Sequence, residues 1–174
     1  IFKITKSYCL FNGDILDFRK PIDYNLVSKV VVQNNDYVQT CNEFIIGEKL
    51  EVYPEFLTAK RCEVIEKNDD LNEERNNFIF EKCKESIQDS EKLEVYVYEK
   101  SGKDLQYYID NPTELYNLLT KNKTISVYDG LNILIIYFMN ILSILKTEKI
   151  IHKDIKPENI IVGDDLHNFP ENIK

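Results

Sequence analysis

The sequence carries no surplus of positive charge. Lys and Arg together number 22 against 30 Asp and Glu in 174 residues, which gives a formal net charge of −8. Nucleic acids and anionic membrane surfaces are bound through basic patches that neutralise phosphate groups. We therefore expect neither nucleic acid nor a membrane among the partners of this protein.

The cysteines lack the spacing of a metal or redox centre. There is no C-x-x-C pair and no zinc-like spacing among Cys9, Cys41, Cys62 and Cys83. We interpret them as reduced, mostly buried thiols of a cytoplasmic or nuclear protein. The first ten residues also lack the long apolar core of a signal peptide. Because the chain starts with Ile1 rather than Met, we expect it to be a piece of a longer polypeptide.

One segment, LNILIIYFMNILSIL at 131–145, is apolar enough to be mistaken for a membrane span. It is shorter than the roughly 20 residues that a bilayer requires. It also contains the polar residues Asn132, Asn140 and Ser143. The segment therefore predicts a helix buried in the core of a soluble domain.

The composition is that of a folded protein, with 43% apolar residues, 11 Tyr and 9 Phe. Strands are predicted at 26–32 (LVSKVVV), 56–65 and 93–99 (LEVYVYE), from their β-branched and alternating apolar residues. Apolar residues at helical spacing predict a helix over 36–50, capped by Asn35 or Asp36. The polar stretch 66–92 is interpreted as a solvated insertion that is partly helical.

The second part of the chain is predicted to be mainly helical. Short helices are expected after Asp104 and from Pro112, and a long one from Ser126 to about Lys146. A short strand is expected at 160–162. The whole is an α+β pattern in two unequal lobes, 1–99 and 100–174.

The segment IHKDIKPENIIV at 151–162 concentrates His152, Asp154, Lys156 and Asn159 between two apolar runs. Phosphoryl transfer needs an acid at the acceptor hydroxyl, a cation near the γ-phosphate and an oxygen ligand for magnesium. Asp154, Lys156 and Asn159 supply these three groups in that order, while His152 is expected to brace the loop. Pro157 helps to keep the preceding residue extended.

H-K-D-I-K-P-E-N resembles the catalytic loop of the protein kinase family, whose usual form is H-R-D-x-K-x-x-N. A Lys two positions after the Asp is typical of its serine/threonine kinases. The resemblance implies a two-lobed kinase-like fold, ATP and Mg²⁺ as cofactors, and a protein substrate. It implies that Asp154 orients the hydroxyl, that Lys156 offsets the γ-phosphate charge, and that Asn159 holds the metal.

The resemblance extends to the first part of the chain. Lys29 lies in a strand similar to V-A-I-K, and Glu43 follows 14 positions later in the next predicted helix, with Glu48 as the alternative partner. In the family such a strand lysine pairs with a glutamate of the following helix. The strand VYVYEKSGKDL is similar to the hinge that binds adenine. By that likeness Tyr98 is the gatekeeper, and Glu99, Lys100 and Ser101 form the hinge.

The sequence departs from the family pattern in two places. It contains no G-x-G-x-x-G, so 4–11 (ITKSYCLF) is the best candidate for the phosphate-covering loop. It also contains no D-F-G after the catalytic loop, and we expect the chain to be the front of a longer kinase. Within the family, NEFIIGEKL and YEKSGKDL are faintly similar to haspin-type atypical kinases.

The residues are also compatible with two other functions. The missing glycine loop and D-F-G are compatible with a pseudokinase that acts as a binding or scaffold module. A small-molecule kinase of the aminoglycoside or choline type shares H-x-D and the distant Asn. That class looks more like H-G-D-x-x-x-x-N, so Lys156 and Pro157 speak against it.

Overall fold

The computed structural model describes residues 8–17, 19–32, 40–67, 72–87, 92–120, 126–152 and 155–162. The chain divides into two compact units, Ile1–Lys100 and Ser101–Lys174. The first unit holds a four-stranded antiparallel sheet, and helices make up most of the described part of the second. The predicted α+β class is confirmed.

The sheet of the first unit has the order β1-β2-β4-β3. Its strands are β1 (Tyr8–Asn12), β2 (Leu26–Val32), β3 (Arg61–Glu66) and β4 (Lys92–Glu99). The predicted strand at 26–32 is confirmed, and β4 starts one residue before its predicted beginning. β3 starts at Arg61 rather than at residue 56. The connection from β1 turns at Gly13, whose φ of 85° is accessible to glycine without strain.

Helices cover the two faces of this sheet. Helix α1 (Asn42–Leu50) packs Phe44 with Tyr96 and Tyr98, and we call this side the α1 face. Helix α2 (Glu73–Ile87) packs Ile79 on the other side, the α2 face. The α2 face is apolar, and its buried strand residues are Val30, Leu93, Val95 and Val97. Neighbouring residues of a strand point to opposite faces, and a helix covers each face of the sheet. Strand β4 is therefore buried at six consecutive positions.

Helix α2 corrects the interpretation of 66–92 as a solvated insertion. Ile79 is fully buried against the sheet, and Cys83 and Phe80 are buried beside it. Arg75 is also buried, and its Nη2 donates to Glu63 Oε1 at 2.6 Å. Residues 75, 79 and 83 recur at helical spacing. The intervening charged residues obscured this buried stripe in the sequence.

Helix α1 begins at Asn42, later than predicted. Cys41 is its N-cap, whereas the predicted caps Asn35 and Asp36 fall at 33–39, outside the described residues. Cys41 has a left-handed backbone with a φ of 56° and caps no amide with its side chain. The first turn of α1 is therefore held by its attachments to the sheet.

All four cysteines are disulfide-bonded, in the pairs Cys9–Cys83 and Cys41–Cys62. The prediction of reduced thiols is wrong in this structure. The partners are 74 and 21 positions apart, and connectivity of that kind cannot be read from sequence. The cytoplasmic or nuclear location stays a prediction, without the support that reduced thiols gave it.

The second unit contains α3 (Leu105–Asp110), α4 (Pro112–Thr120) and α5 (Val127–Thr147), and its strands β5 (Lys103–Asp104) and β6 (Ile161–Val162) pair with each other. The predicted helix starts are confirmed. The Asp104 carboxylate accepts from the amide of Tyr107, and Ser126 forms a capping box with Asp129.

Helix α5 corrects the expectation of a buried core helix. It has 21 residues, and by length and apolar composition alone it is capable of crossing a membrane. Ile144 and Leu145 near its end are buried. Most of its other described large apolar side chains are exposed, with Ile135 and Met139 as examples. The apolar residues of α5 occur on all of its sides, so composition alone could not predict how much of the helix surface is buried.

Candidate functional site

Lys29 lies on the α1 face in the middle of β2. It is directly opposite Tyr96 of β4 in the antiparallel register. The odd-numbered positions of β2 place Val27, Lys29 and Val31 on this face, and Val27 and Val31 belong to its apolar cluster. A lysine within such a cluster runs its aliphatic stem along apolar side chains and needs a partner for its ammonium.

Glu43 is that partner. The Lys29 ammonium donates to both carboxylate oxygens of Glu43, at 3.0 Å to Oε1 and 2.8 Å to Oε2. The structure thus pairs Lys29 with Glu43, whereas Glu48 was the alternative in the sequence. Glu43 lies in the first turn of α1, where the helix dipole favours a negative charge. The Lys29 side chain is 29% exposed, so the pair is reachable from solvent.

The hydroxyl of Tyr98 donates a third hydrogen bond to Glu43, at 2.5 Å from Oε1. Tyr98 is buried on β4 beside Tyr96, with their ring centroids 6.5 Å apart. Three donated hydrogen bonds fix the Glu43 carboxylate in one orientation. The residue predicted as gatekeeper therefore positions the glutamate of the ion pair.

A second acidic group, Glu94, holds the beginning of α1. Its Oε1 accepts from the backbone amide of Cys41 at 3.1 Å, and its Oε2 accepts from the Tyr96 hydroxyl. The Glu94 carboxylate thus satisfies one of the amides at the helix start that have no partner within the helix. Sequence reasoning missed Glu94 and Tyr96. The available signal was the alternation of β4, which places residues 94, 96 and 98 on one face.

Both tyrosines are held in their neutral form. Burial raises the pKa of Tyr98, and the charge of Glu43 and its hydrogen bond raise it further. Burial likewise raises the pKa of Tyr96, with further contributions from the hydrogen bond to Glu94 and its charge. A neutral phenol is a donor, so both hydroxyls keep donating to carboxylates at physiological pH.

Chemically, this arrangement presents one oriented ammonium at the α1 face. An ammonium held by a carboxylate is a point charge that binds an anionic oxygen such as that of a phosphate. The lysine strand and the glutamate helix occur in the order that the kinase resemblance implies. The arrangement is suited to anion binding, and by itself it performs no bond-making step.

The structure describes each of the three predicted hinge residues. Glu99 ends β4, and its carboxylate lies 3.4 Å from the ammonium of Lys60. The backbone amide of Lys100 donates to the carbonyl of Asn25 at 2.6 Å, so that amide already has an acceptor. Lys100 is the last residue of the first unit, and Ser101 begins the second and is exposed.

The predicted catalytic loop is described in part. Asp154 lies outside the described residues, as does Lys153. Lys156 is exposed and extended, with a φ of −152°, as expected for a residue before proline. Asn159 closes a 3-10 turn, Pro157–Asn159, and its amide donates to the Lys156 carbonyl at 2.9 Å.

A magnesium site is supported only by the type of donor. The exposed Asn159 provides an amide oxygen, a ligand that suits Mg²⁺. Within the described ranges, which omit Asp154, no group of three or more His, Cys, Asp or Glu side chains is placed to hold a metal ion. The Asn159 amide therefore fits magnesium as one ligand among others.

Comparisons of this chain with models of known protein families, with curated proteins and with solved structures found no match. The functional argument therefore depends on the residues and the geometry described above.

Proposed function

We propose that this chain belongs to a serine/threonine protein kinase, with a kinase-like two-lobed fold, that transfers phosphate from ATP to a hydroxyl of a protein substrate. The Lys29–Glu43 ion pair carries this proposal, with its 2.8 Å contact between strand β2 and helix α1. A kinase-type catalytic loop at 151–162 follows it in the sequence. The chance of both features in this order is small for an unrelated domain.

In this proposal each residue of the first unit has a defined task. Lys29 binds the phosphates of ATP, because its oriented ammonium offsets their negative charge. Glu43 keeps that ammonium in place, and Tyr98 keeps Glu43 in place. Glu99, Lys100 and Ser101 contact adenine by resemblance to the hinge. The Lys100 amide already donates to the Asn25 carbonyl, so adenine would contact other backbone groups of this segment.

The loop residues act on the transferred group. Asp154 orients the acceptor hydroxyl and takes its proton, and Lys156 offsets the charge of the γ-phosphate. Magnesium, when bound, neutralises charge on the phosphate oxygens. Asn159 would be one of its ligands.

A pseudokinase that serves as a binding module is the second candidate. The specific observation in its favour concerns the proposed phosphate-covering loop at 4–11. From Tyr8 onward this stretch is strand β1, paired with β2, and Cys9 is bonded to Cys83. The four described residues of the candidate are therefore not a loop, and residues 1–7 lie outside the described part.

A nucleotide-binding and transfer experiment distinguishes the two functions. ATP with Mg²⁺ at about 100 times its Kd should raise the Tm of the protein by about 5 °C. Lys29→Met should abolish this shift, while Lys49→Met, at an exposed position of α1, should keep it. Asp154→Asn should keep the shift and lower phosphate transfer to a Ser/Thr peptide by at least about 100-fold.

The outcomes separate clearly. Transfer that survives Asp154→Asn contradicts the role of that residue. An ATP shift without transfer in the unsubstituted protein, or no shift at all, favours the binding module. A shift that survives Lys29→Met contradicts the assigned phosphate contact.

A further inference from the structure

The Cys41–Cys62 disulfide joins the start of α1 to strand β3. Cys41 is the N-cap of the helix and lies two positions before Glu43, and Cys62 is the second residue of β3. The bond therefore fixes the turn that carries the glutamate of the ion pair. We propose that this disulfide is a redox-controlled tether whose reduction loosens Glu43 from Lys29. Its effect on phosphate transfer rests on the proposed kinase function, whereas the tether itself does not.

The start of α1 is poorly stabilised without the disulfide. Cys41 is a non-glycine residue in the left-handed region, a conformation that costs about 1 kcal/mol or more and persists only where surrounding contacts impose it. Its side chain makes no capping hydrogen bond, unlike Asp104 and Ser126 at α3 and α5. With nine residues, α1 is also too short to be stable in isolation. The attachments left at this end then include the Glu94 contact to the Cys41 amide and the hydrogen bonds that Lys29 and Tyr98 donate to Glu43.

The far half of α1 has its own anchors. Leu50 is buried, and Gly47 approaches Thr58 so closely that an added Cβ would lie 3.3 Å from the Thr58 Cβ. Reduction is therefore expected to free the first turn while the last turn stays in place. Glu43 belongs to the first turn, so its contact with Lys29 is the one that reduction weakens.

The two disulfides differ in accessibility. Cys41 and Cys62 are both partly exposed, whereas in the other disulfide only Cys9 is partly exposed and Cys83 is 1% exposed. A thiolate attacks a disulfide sulfur directly, so access decides which bond is reduced first. A dithiol reductant gives two electrons and two protons to Cys41–Cys62. Two Cys thiols form, and the reductant becomes a disulfide; oxidation reverses the step.

Hydrogen exchange on the whole protein tests the tether. Exchange is measured over 42–50 and over 92–99, with and without dithiothreitol, in the unsubstituted protein, Cys62→Ala and Cys83→Ala. Cys83→Ala keeps the Cys41–Cys62 bond and is the matched control. In the control, dithiothreitol should speed exchange in the first turn of 42–50 about tenfold, a typical size for coupling between sites, and leave the last turn unchanged. Cys62→Ala should show the fast exchange without reductant.

Equal exchange of 42–50 with and without dithiothreitol in Cys83→Ala overturns the tether. ATP affinity is measured on the same samples, and reduction should weaken it about tenfold. Faster exchange with unchanged ATP affinity contradicts the proposal that the disulfide keeps Glu43 in contact with Lys29. Faster exchange in a protein that binds no ATP in either state leaves the tether standing and rejects the kinase function instead.

Discussion

The two faces of the first sheet are built from the same strands but differ in chemistry. On the α2 face, Val30, Val95 and Val97 pack against a helix and are at most 2% exposed. On the α1 face, the alternate positions carry Lys29, Glu94 and two tyrosines. Strand β4 thus supplies apolar packing from one side and a polar network from the other. Stability and the candidate site are therefore separable by mutation, residue by residue.

The polar network is tolerated because each of its buried groups has a partner. An unpartnered buried donor or acceptor costs about 1–3 kcal/mol. On the α1 face, Glu94 and Glu43 each accept from a tyrosine hydroxyl. On the α2 face the buried hydroxyl of Ser28 accepts from the Ile15 amide and donates to the Gly13 carbonyl. That hydroxyl fixes a turn, whereas the groups of the α1 face fix an ion pair.

The largest expected effect comes from the α2 face. Ile79→Ala should lower the free energy of unfolding by about 3 kcal/mol, because it leaves a cavity at a fully buried position. Glu81→Ala, at an exposed position of the same helix, is the control and should change it by less than about 0.5 kcal/mol. Both changes in the free energy of unfolding are to be measured by denaturant unfolding. A loss below about 1 kcal/mol for Ile79→Ala would show that α2 does not pack as described.

A smaller effect is expected on the α1 face. Tyr98→Phe removes a hydroxyl that donates to the Glu43 carboxylate, and such bonds contribute about 1.5–3 kcal/mol. We expect a loss near about 1.5 kcal/mol, since Lys29 still serves Glu43. Tyr24→Phe is the control, because Tyr24 is 69% exposed and should change the free energy of unfolding by less than about 0.5 kcal/mol. Equal losses in the two variants would contradict the positioning role of Tyr98.

The sequence predicted local features well. β2, β4 and the starts of α3, α4 and α5 follow from alternation, Asp104, Pro112 and Ser126. The pairing of Lys29 with Glu43 was predicted from the family resemblance. The two side chains form this contact because β2 and α1 lie next to each other. These predictions depend on residues close together in the sequence, or on the order of a lysine strand and a glutamate helix in the family that the sequence resembles.

The features that were missed depend on residues far apart in the chain. The disulfides join positions 74 and 21 residues apart, and Glu94 reaches the Cys41 amide across 53 positions. Helix α2 looked solvated because its charged residues outnumber its apolar ones, yet Arg75 is buried with Glu63 as partner. No periodicity in one segment identifies the surface that covers it. The sheet that brings these residues together had to be known first.

The smallest expected effect is a dependence of the free energy of unfolding on alkaline pH that arises from the two tyrosines of the α1 face. The pKa of both Tyr96 and Tyr98 is raised, chiefly by burial and then by the neighbouring carboxylates. Unfolded tyrosine titrates near about pH 10, so above that pH the unfolded chain releases protons that the native state keeps. The stability that these neutral phenols contribute is present in full below about pH 10 and falls as pH rises beyond it.

Between about pH 9.5 and about 10.5, these two tyrosines should lower the free energy of unfolding by about 1 kcal/mol. The Tyr96→Phe/Tyr98→Phe double variant should lose that part of the pH dependence, whereas Tyr24→Phe should keep it, because Tyr24 is exposed. The measurement is denaturant unfolding at each pH, compared as differences between variants so that other titrating groups cancel. If the double variant and the unsubstituted protein show the same slope, the phenols of the α1 face titrate in the native state as readily as in the unfolded chain. The hydrogen bonds to Glu43 and Glu94 would then not hold them neutral.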